Sequence, residues 1–392
     1  MREGPDLNCD TIGQLFSRMG TLPIKLIQPY PDHSCPIPVP AEDRVRVSVP
    51  VYFIRYRYPH HALCSGYDRL CDYIGETIPL SRTLYWLGES VLRMPALFAA
   101  KWGGHFEYSR YDYVMEREAI RQFLRHRCSI YHHVYAEKTF RMMARFAGRN
   151  GNKIVGTVHH PPEHNAWLFR SLDHFRQLDK IIVLSKSQLA YWQNQVGAEK
   201  VTFVPHAVDT AYFMPAEQRE DRPPRCLFVG IHERDFDILP EVVSRVTSAK
   251  RKTEFVMISR HARCGEISAR NARAHWLPWV SETEYRHLLQ QSDLLVLPLK
   301  RATTNNTVLE ALACGVPVLT SRGGIEDYLD SQCSRCFEVG DAISMSQAAL
   351  HLLENEPERL LMAQAARTRA DEFSWKVTAW KMAKVYESLI LT

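Results

Sequence analysis

The residues best suited to chemistry stand close together in residues 305–321, NNTVLEALACGVPVLTS. Small polar side chains at Asn305, Asn306 and Thr307 mark the start of a predicted helix, where unbonded backbone N–H groups and the positive end of the helix dipole attract a phosphate. Glu310, one turn further on, can accept hydrogen bonds from ribose hydroxyls. Loop, capped helix, glycine and strand also describe any αβ unit of a doubly wound sheet, so the pattern alone leaves a nucleotide site and a plain structural unit equally open.

Three further pairs of residues have the spacing of metal ligands: Cys333 and Cys336, Asp235 and Asp237, and His160 and His164. No second C-x-x-C pair accompanies the cysteines. The aspartates are expected to open a helix, where acids cap backbone N–H groups and favour the dipole. Two prolines interrupt any helix that would bring the histidines onto one face. The sequence therefore predicts no metal site.

The size and composition of the chain indicate a globular protein with two cores. Its 392 residues exceed one ordinary domain, and 45% of them are hydrophobic and 24% charged. No run of about 18 apolar residues is present, and the first residues lack the basic and then apolar pattern of a signal peptide. Ten scattered cysteines suit reduced thiols. These features predict a cytoplasmic protein.

The small positive charge of the chain lies in its N-terminal half. Residues 1–215 hold 26 Lys and Arg against 20 Asp and Glu, while the whole chain carries +5. This excess is too small to indicate nucleic-acid binding, and no nucleic-acid motif accompanies it. Residues 80–106 have the pattern of an aromatic and apolar helix with interspersed basic side chains. Such a helix could lie peripherally on the inner face of a membrane, although a helix partly buried in its domain is the commoner arrangement.

Alternating strands and helices predict two doubly wound α/β domains. Residues 1–44 contain several prolines and no periodicity, and are predicted to be an irregular extension. The first domain, residues 45–213, has predicted strands at residues 47–56, 129–134, 153–158, 180–184 and 201–205, and a predicted helix at 138–149. The second domain, residues 214–372, has predicted strands at residues 225–229, 253–259, 274–277, 294–297 and 317–320. Helices between successive strands imply parallel sheets.

Two motifs in this framework resemble those of a known family. Residues 308–321, VLEALACGVPVLTS, resemble the donor-site motif of the family 4 glycosyltransferases, the retaining glycosyl transferases group 1 of the GT-B fold. Residues 205–213, PHAVDTAYF, resemble the signature that closes the N-terminal domain of that family, with His206 and Ala207 in place of the usual asparagine and glycine.

The resemblance implies two Rossmann-like domains facing a cleft, with a last helix at residues 373–392 that crosses back to the N-terminal domain. It also implies metal-independent transfer of a sugar, with retained configuration, from a nucleotide sugar to a glycan, a lipid-linked molecule or another hydroxyl acceptor. No cofactor is implied, because the nucleotide sugar is a co-substrate. Contact with a membrane would serve a lipid-linked acceptor, and nucleic acid is not an implied partner.

Specific residues follow from the same resemblance. Donor binding is assigned to Gly66, Gly230, Arg234, Asn306, Thr307 and Glu310. Arg234 would hold the diphosphate, and the missing Cβ of Gly66 would let the backbone approach the ligand. His159 would be the active-site residue of the N-terminal domain, with the alternative that His160 faces the cleft instead.

One departure from the family concerns its paired acids, two glutamates eight positions apart. Glu310 matches the second, but the first position holds Ala302. Arg301 beside it predicts affinity for an acidic donor sugar. Two alternatives remain: a nucleotide-sugar 2-epimerase of similar fold, which would need further acids, and a degenerate module that binds nucleotide without turnover.

Overall fold

A computed structural model describes residues 38–55, 64–78, 104–105, 107–248 and 252–391. Most of the predicted N-terminal extension and nearly all of the predicted helix over residues 80–106 lie outside these described residues. Two six-stranded parallel sheets organise the chain, and they confirm the predicted fold class of two doubly wound α/β units. The exact domain boundaries stay a prediction.

The first sheet has the strand order β2-β1-β3-β4-β5-β6. Its strands are β1 Val51–Ile54, β2 Glu76–Thr77, β3 Ile130–His133, β4 Lys153–Val158, β5 Lys180–Val183 and β6 Val201–Phe203. Successive strand residues point to opposite faces, so Val155 and Ile182 join one apolar core while Ile154 and Ile181 join the other. A sheet buried on both faces is typical of parallel α/β folds.

The second sheet has the order β12-β11-β10-β7-β8-β9. Its strands are β7 Arg225–Val229, β8 Glu254–Ile258, β9 Ala274–Leu277, β10 Leu294–Leu297, β11 Val318–Ser321 and β12 Ser334–Phe337. Every residue of β10 is buried, as the run of four aliphatic side chains requires. We call the unit around β1–β6 the first domain and the unit around β7–β12 the second domain.

Helices connect the strands in both domains. Those of the first domain are α1 Leu70–Ile74, α2 Arg110–Arg125, α3 Ala136–Thr139, α4 Asn165–Leu168 and α5 Leu189–Val196. Those of the second are α6 Leu239–Thr247, α7 Ala262–Arg270, α8 Glu282–Gln290, α9 Asn306–Ala313, α10 Ala342–Glu354 and α11 Glu356–Asp371. The final helix, α12, spans Trp375–Ile390.

Helix α12 packs on the first domain. Its Trp375 lies 6.0 Å from the ring of Tyr67, and the ring Nδ1 of buried His132 lies 2.6 Å from the hydroxyl of Tyr386. The apolar side of the helix therefore belongs to the core of the domain that is remote from it in sequence.

Three predicted elements differ in the structure. The helix predicted at 138–149 ends at Thr139, because the buried carboxylate of Glu116 accepts the N–H groups of Arg141 and Met143, which a continuing helix would need. The strand predicted at 47–56 is confined to β1. The segment before β1 runs along α12 instead, where the N–H and hydroxyl of Ser48 both donate to Glu387.

The predicted helix start at Asp235 and Asp237 is also wrong, since α6 begins at Leu239. Asp235 accepts the N–H of Asp237 at 3.1 Å within the preceding turn, so this carboxylate stabilises the turn and does not cap the helix.

Candidate functional site

Helix α9 begins at Asn306, directly after a loop that follows β10. The side chain of Asn305 accepts the N–H of Val308 at 3.3 Å and so caps the helix. The N–H groups of Asn306 and Thr307 lie in the first turn, where no intrahelical carbonyl is in reach. The helix therefore directs a positive dipole end toward its N-terminal loop, which is the geometry of an anion site.

Glu310 lies one turn along α9 and is only 4% exposed. Its two carboxylate oxygens accept hydrogen bonds from different hydroxyls, one from Ser65 and one from Tyr285. Burial raises the pKa of Glu310, and the two hydroxyl donors act in the opposite direction. Because both partners are hydroxyls, this carboxylate already binds the type of group that a ribose would present.

Residues from three distant segments meet at Glu310. One narrow crevice is lined by Ser65, Gly66, Ala207, Val208, Asn306 and Glu310. Gly66 has a φ of 98°, which a residue with a side chain rarely adopts. The structure thus brings together three residues to which the sequence assigns donor binding, Gly66, Asn306 and Glu310.

Arg234 and Gly230 form a second part of the site, at the end of β7. The guanidinium of Arg234 donates to the carbonyls of Val229 and His232, each at 2.8 Å. It lies against Gly230, where a Cβ atom would stand 2.6 Å from Nη2. Burial lowers the pKa of Arg234 to about 10, so the group stays cationic at neutral pH. We call residues 230–234, which follow β7, the glycine loop. Arg234 therefore stabilises this loop and adds a fixed positive charge to it.

His159 is held by the first domain. Its ring Nε2 donates to the carbonyl of Val134 at 2.8 Å, and its ring lies 4.6 Å from that of Tyr135. The carbonyl of His159 accepts the hydroxyl of Thr303, from the loop that leads into α9. The backbone of His159 thus reaches the second domain, while its imidazole is oriented by the first.

His160 has a different environment from His159. Its Nε2 lies 3.6 Å from the carboxylate of Glu107. Burial acts to lower the pKa of His160, but the hydrogen bond and charge of Glu107 outweigh it and the pKa is raised. The rings of the two neighbouring histidines therefore have separate partners, a carbonyl for His159 and a carboxylate for His160, although both backbone N–H groups donate to Glu137.

Glu233, in the glycine loop, forms contacts that the sequence did not predict. Its carboxylate oxygens lie 3.4 Å from Nε2 of His164, in the first domain, and 3.3 Å from Nε of Arg301, in the second. Arg301, predicted from sequence to favour an acidic sugar, is therefore already paired with an acid.

Further contacts between the domains were also not predicted. The carboxylate of Asp327 accepts the hydroxyl of Ser185 at 2.9 Å and the N–H of Lys186 at 2.7 Å. The hydroxyl of Tyr328 donates to the carbonyl of Leu184 and accepts the N–H of His206. The sequence signal for these contacts is weak, since they join residues more than a hundred positions apart.

Within the described residues, no group of three or more His, Cys, Asp or Glu side chains is arranged to hold a metal ion. Nor is any helix in that part of the chain long and apolar enough to cross a membrane.

Two parallel sheets with a crevice between their domains, a helix N-terminus and a buried acid together define a two-domain α/β protein of the GT-B type. Family models agree with this class. The model described as Glycosyltransferase Family 4 matches residues 86–212, and the model described as Glycosyl transferases group 1 matches residues 223–355. The chain belongs to the family 4, group 1 glycosyltransferases.

Curated relatives are distant and are matched over part of their length. An MMP alpha-(1->4)-mannosyltransferase of Mycolicibacterium hassiacum is 25% identical over 61% of this chain and 66% of its own length. A D-inositol 3-phosphate glycosyltransferase of Salinispora tropica is 23% identical over 57% of this chain and 54% of its own length. The chain thus spans about two thirds or less of the relatives that it matches.

Solved structures show the same fold. The Anabaena protein HepE in complex with UDP and glucose superposes with a TM-score of 0.64 at 12% identity, over 87% of this chain and all of that one. Sucrose-phosphate synthase from Thermosynechococcus elongatus superposes with a TM-score of 0.59 at 15% identity, over 72% of this chain and 78% of that one. At this level of identity the likeness establishes the fold alone.

Proposed function

We propose that this protein transfers a sugar from a nucleotide-sugar donor to a hydroxyl group of a glycan or lipid-linked acceptor, with retention of configuration and without a metal ion. The observation that carries the proposal is the arrangement of α9: an anion-attracting N-terminus with a buried, hydroxyl-bonded Glu310 one turn behind it. A nucleoside diphosphate has both groups that this arrangement suits, a diphosphate and a pair of ribose hydroxyls.

In the donor complex, the N–H groups of Asn306 and Thr307 hold the diphosphate, and the cationic Arg234 adds charge from the glycine loop. The ribose hydroxyls replace the hydroxyl of Ser65 at Glu310. Ser65 belongs to the first domain and Glu310 to the second, so this exchange removes one contact between the domains. Donor entry is therefore coupled to opening of the crevice.

The chemical step breaks the bond from the anomeric carbon to the diphosphate and forms a bond from that carbon to the acceptor oxygen. The acceptor proton passes to the leaving diphosphate on the same face of the sugar. Oriented N–H groups and Arg234 stabilise the negative charge that develops on the diphosphate. Gly66 and His159 complete the cleft from the first domain.

The relatives support this class of donor and a lipid-linked acceptor. HepE was solved with UDP-glucose, which makes uridine diphosphate sugars the first donors to test. One relative, from Campylobacter jejuni, is named as an N-acetylgalactosaminyltransferase acting on a diphospho-undecaprenol; it is 28% identical over 38% of this chain and 41% of its own length. A lipid-linked acceptor that meets the protein at the inner face of a membrane belongs to the proposal on this ground.

The proposal is tested by screening uridine, guanosine and adenosine diphosphate sugars for thermal stabilisation of the protein. At a concentration 100 times the dissociation constant, a ligand should stabilise the protein by about 2.7 kcal/mol. Glu310→Ala should abolish the shift, while Glu217→Ala, in the exposed linker between β6 and β7, should keep it. A panel that stabilises neither the wild type nor the control would refute the proposal.

Turnover separates the transferase from its alternatives. A transferase releases nucleoside diphosphate only when an acceptor is supplied, an epimerase converts its donor without an acceptor, and a binding module is stabilised by the donor without any release.

A further inference from the structure

The backbone of Glu233 has an unusual conformation for its residue type. Its φ is 55°, and in the part of the chain that the structure describes only Cys128 and Asn150 share a positive φ without being glycine. Asparagine adopts this region more readily than glutamate does. A glutamate in this strained conformation suggests a use for its side chain that glycine could not supply.

Neighbouring backbone contacts fix where Glu233 lies. Its carbonyl accepts the N–H of Lys300 at 2.8 Å, and Arg234 pairs with Leu299 in an antiparallel bridge. The glycine loop therefore runs directly beside the loop that leads into α9. Glu233 therefore contacts Lys300 and Arg301, the two residues before Ala302, where the paired acid of the family is missing.

The carboxylate of Glu233 is oriented but not saturated. His164 and Arg301 approach it at 3.4 and 3.3 Å, which is longer than an ordinary N–H···O hydrogen bond. The residue is 32% exposed along the side chain, and its partners come from both domains. A carboxylate in this state can still accept short hydrogen bonds from the hydroxyls of a ligand bound between the domains.

The loop from Arg301 to Asn306 joins Glu233 to the proposed diphosphate site. Thr303 within it already contacts the carbonyl of His159. Glu310 lies one turn after the N-terminus of α9 and takes the ribose, whereas the 301–306 loop leads into that N-terminus. A sugar at the other end of the diphosphate is therefore assigned to the 301–306 loop, beside which Glu233 lies and contacts His164 of the first domain.

We infer that Glu233 supplies, from the loop after β7, the carboxylate that binds hydroxyls of the donor sugar, in place of the acid that is absent at Ala302. This inference rests on the proposed function. His164 of the first domain and Arg301 of the second hold the carboxylate in position between the two domains. Donor sugars with free hydroxyls are preferred to acidic ones, because an acidic sugar would face Glu233 and meet an Arg301 that is already paired.

Paired binding measurements test this inference. The ligands are the nucleotide sugar that stabilises the wild type most in the panel and its free nucleoside diphosphate. Glu233→Gln should weaken the nucleotide sugar at least tenfold while changing the affinity for the free diphosphate less than twofold. Glu233→Gly should give the same selective loss together with a higher Tm, because glycine relieves the strain at positive φ. Asn150→Gly, at a φ of 59° outside the site, makes the same backbone change while also losing side-chain hydrogen bonds to the carbonyls of Phe123 and Leu124, and it should leave both affinities unchanged.

A role as a simple bridge between the domains gives a different result. Loss of a bridge would weaken both ligands to the same degree, and that outcome would overturn the inference, as would unchanged affinity for both. If the wild type binds no nucleotide sugar, the proposed function itself fails. If the wild type binds one and the Glu233 variants match it, the inference alone fails.

Discussion

At the scale of single residues, the site is held together by side chains that bond to one another. Glu310 is bonded by two hydroxyls, and Arg234 by two backbone carbonyls. The sequence identifies Glu310 because it is the one acid in a helix of apolar residues, and Arg234 because it resembles the basic residue that follows the strand and glycine in the family. It could not identify Ser65, because 245 positions separate Ser65 from Glu310 and no local pattern records a contact formed by tertiary packing.

The raised pKa of Glu310 predicts a specific pH dependence of stability. The folded state binds its proton more tightly than the unfolded state, whose carboxyl pKa is near 4.5, so stability falls as the pH rises from that value through the folded pKa. Glu310→Gln removes this loss. The free energy of unfolding of the variant relative to wild type should therefore rise with pH, by about 1.4 kcal/mol for each unit between the two pKa values.

Denaturant titrations at several pH values measure this difference. Glu217→Gln, in the exposed linker, controls for the removal of one acid. If both variants differ from the wild type by the same amount at every pH, burial of Glu310 has no energetic consequence.

The close contact between Gly230 and Arg234 allows a test of whether the position of the Arg234 guanidinium matters for nucleoside diphosphate binding. Gly230→Ala places a Cβ atom 2.6 Å from the guanidinium at a φ of 97°, so Arg234 must move from its two carbonyls. Gly340→Ala adds the same atom at a φ of 89° with nothing within 4 Å, and so carries the backbone strain alone. Both variants should lose about 1 kcal/mol of stability, but only Gly230→Ala should weaken nucleoside diphosphate binding, by about tenfold. Calorimetric binding and thermal unfolding compare them; equal affinities would remove Arg234 from the site.

At the scale of elements, four strands are predicted with the observed bounds, three of them inside the sheets and one, β9, at an edge. The predicted bounds at 153–158, 225–229, 274–277 and 294–297 coincide with β4, β7, β9 and β10. The edge strands β2 and β12 were not predicted, because Glu76–Thr77 is short and Ser334–Phe337 is partly exposed and polar. The helix predicted at 138–149 was wrong for another reason. The carboxylate that competes for its backbone N–H groups belongs to Glu116, which lies on a different helix.

Helix α9 gives a prediction in which stability and ligand binding separate. Asn305→Ala removes the cap on Val308 and should cost about 1 kcal/mol. Asn305→Asp caps equally well and should keep stability, yet it places a negative charge beside the proposed diphosphate site. Its affinity for the nucleoside diphosphate should fall several-fold, and added salt should reduce that fall. An aspartate variant that binds as tightly as wild type would show that no anion lies at this N-terminus.

At the scale of the whole molecule, the domains are joined by polar contacts that water could replace. Ser65 with Glu310, Thr303 with His159, and Asp327 with Ser185 and Lys186 all cross between them. Polar interfaces of this kind suit domains that move relative to one another. In such motion, helix α12 should move with the first domain, because it packs there through Trp375 and Tyr386.

Asp327 is the residue through which closure can be tested without altering the proposed donor site. Asp327→Ala removes the acceptor for the Ser185 hydroxyl and the Lys186 N–H, so the closed arrangement should be less populated. The radius of gyration measured by small-angle X-ray scattering should increase. Hydrolysis of a nucleotide-sugar donor without acceptor should rise several-fold, because an open cleft no longer excludes water.

Asp173→Ala provides the matched control, since Asp173 is an exposed acid that pairs with Arg176 inside the first domain. Its scattering and donor hydrolysis should equal those of the wild type. Nucleoside diphosphate affinity should change little in either variant, because Asp327 lies outside the proposed contacts with the diphosphate and ribose. If Asp327→Ala leaves both the radius and the hydrolysis rate unchanged, these contacts do not hold the domains closed, and the contact of Thr303 with the carbonyl of His159 is the next one to test.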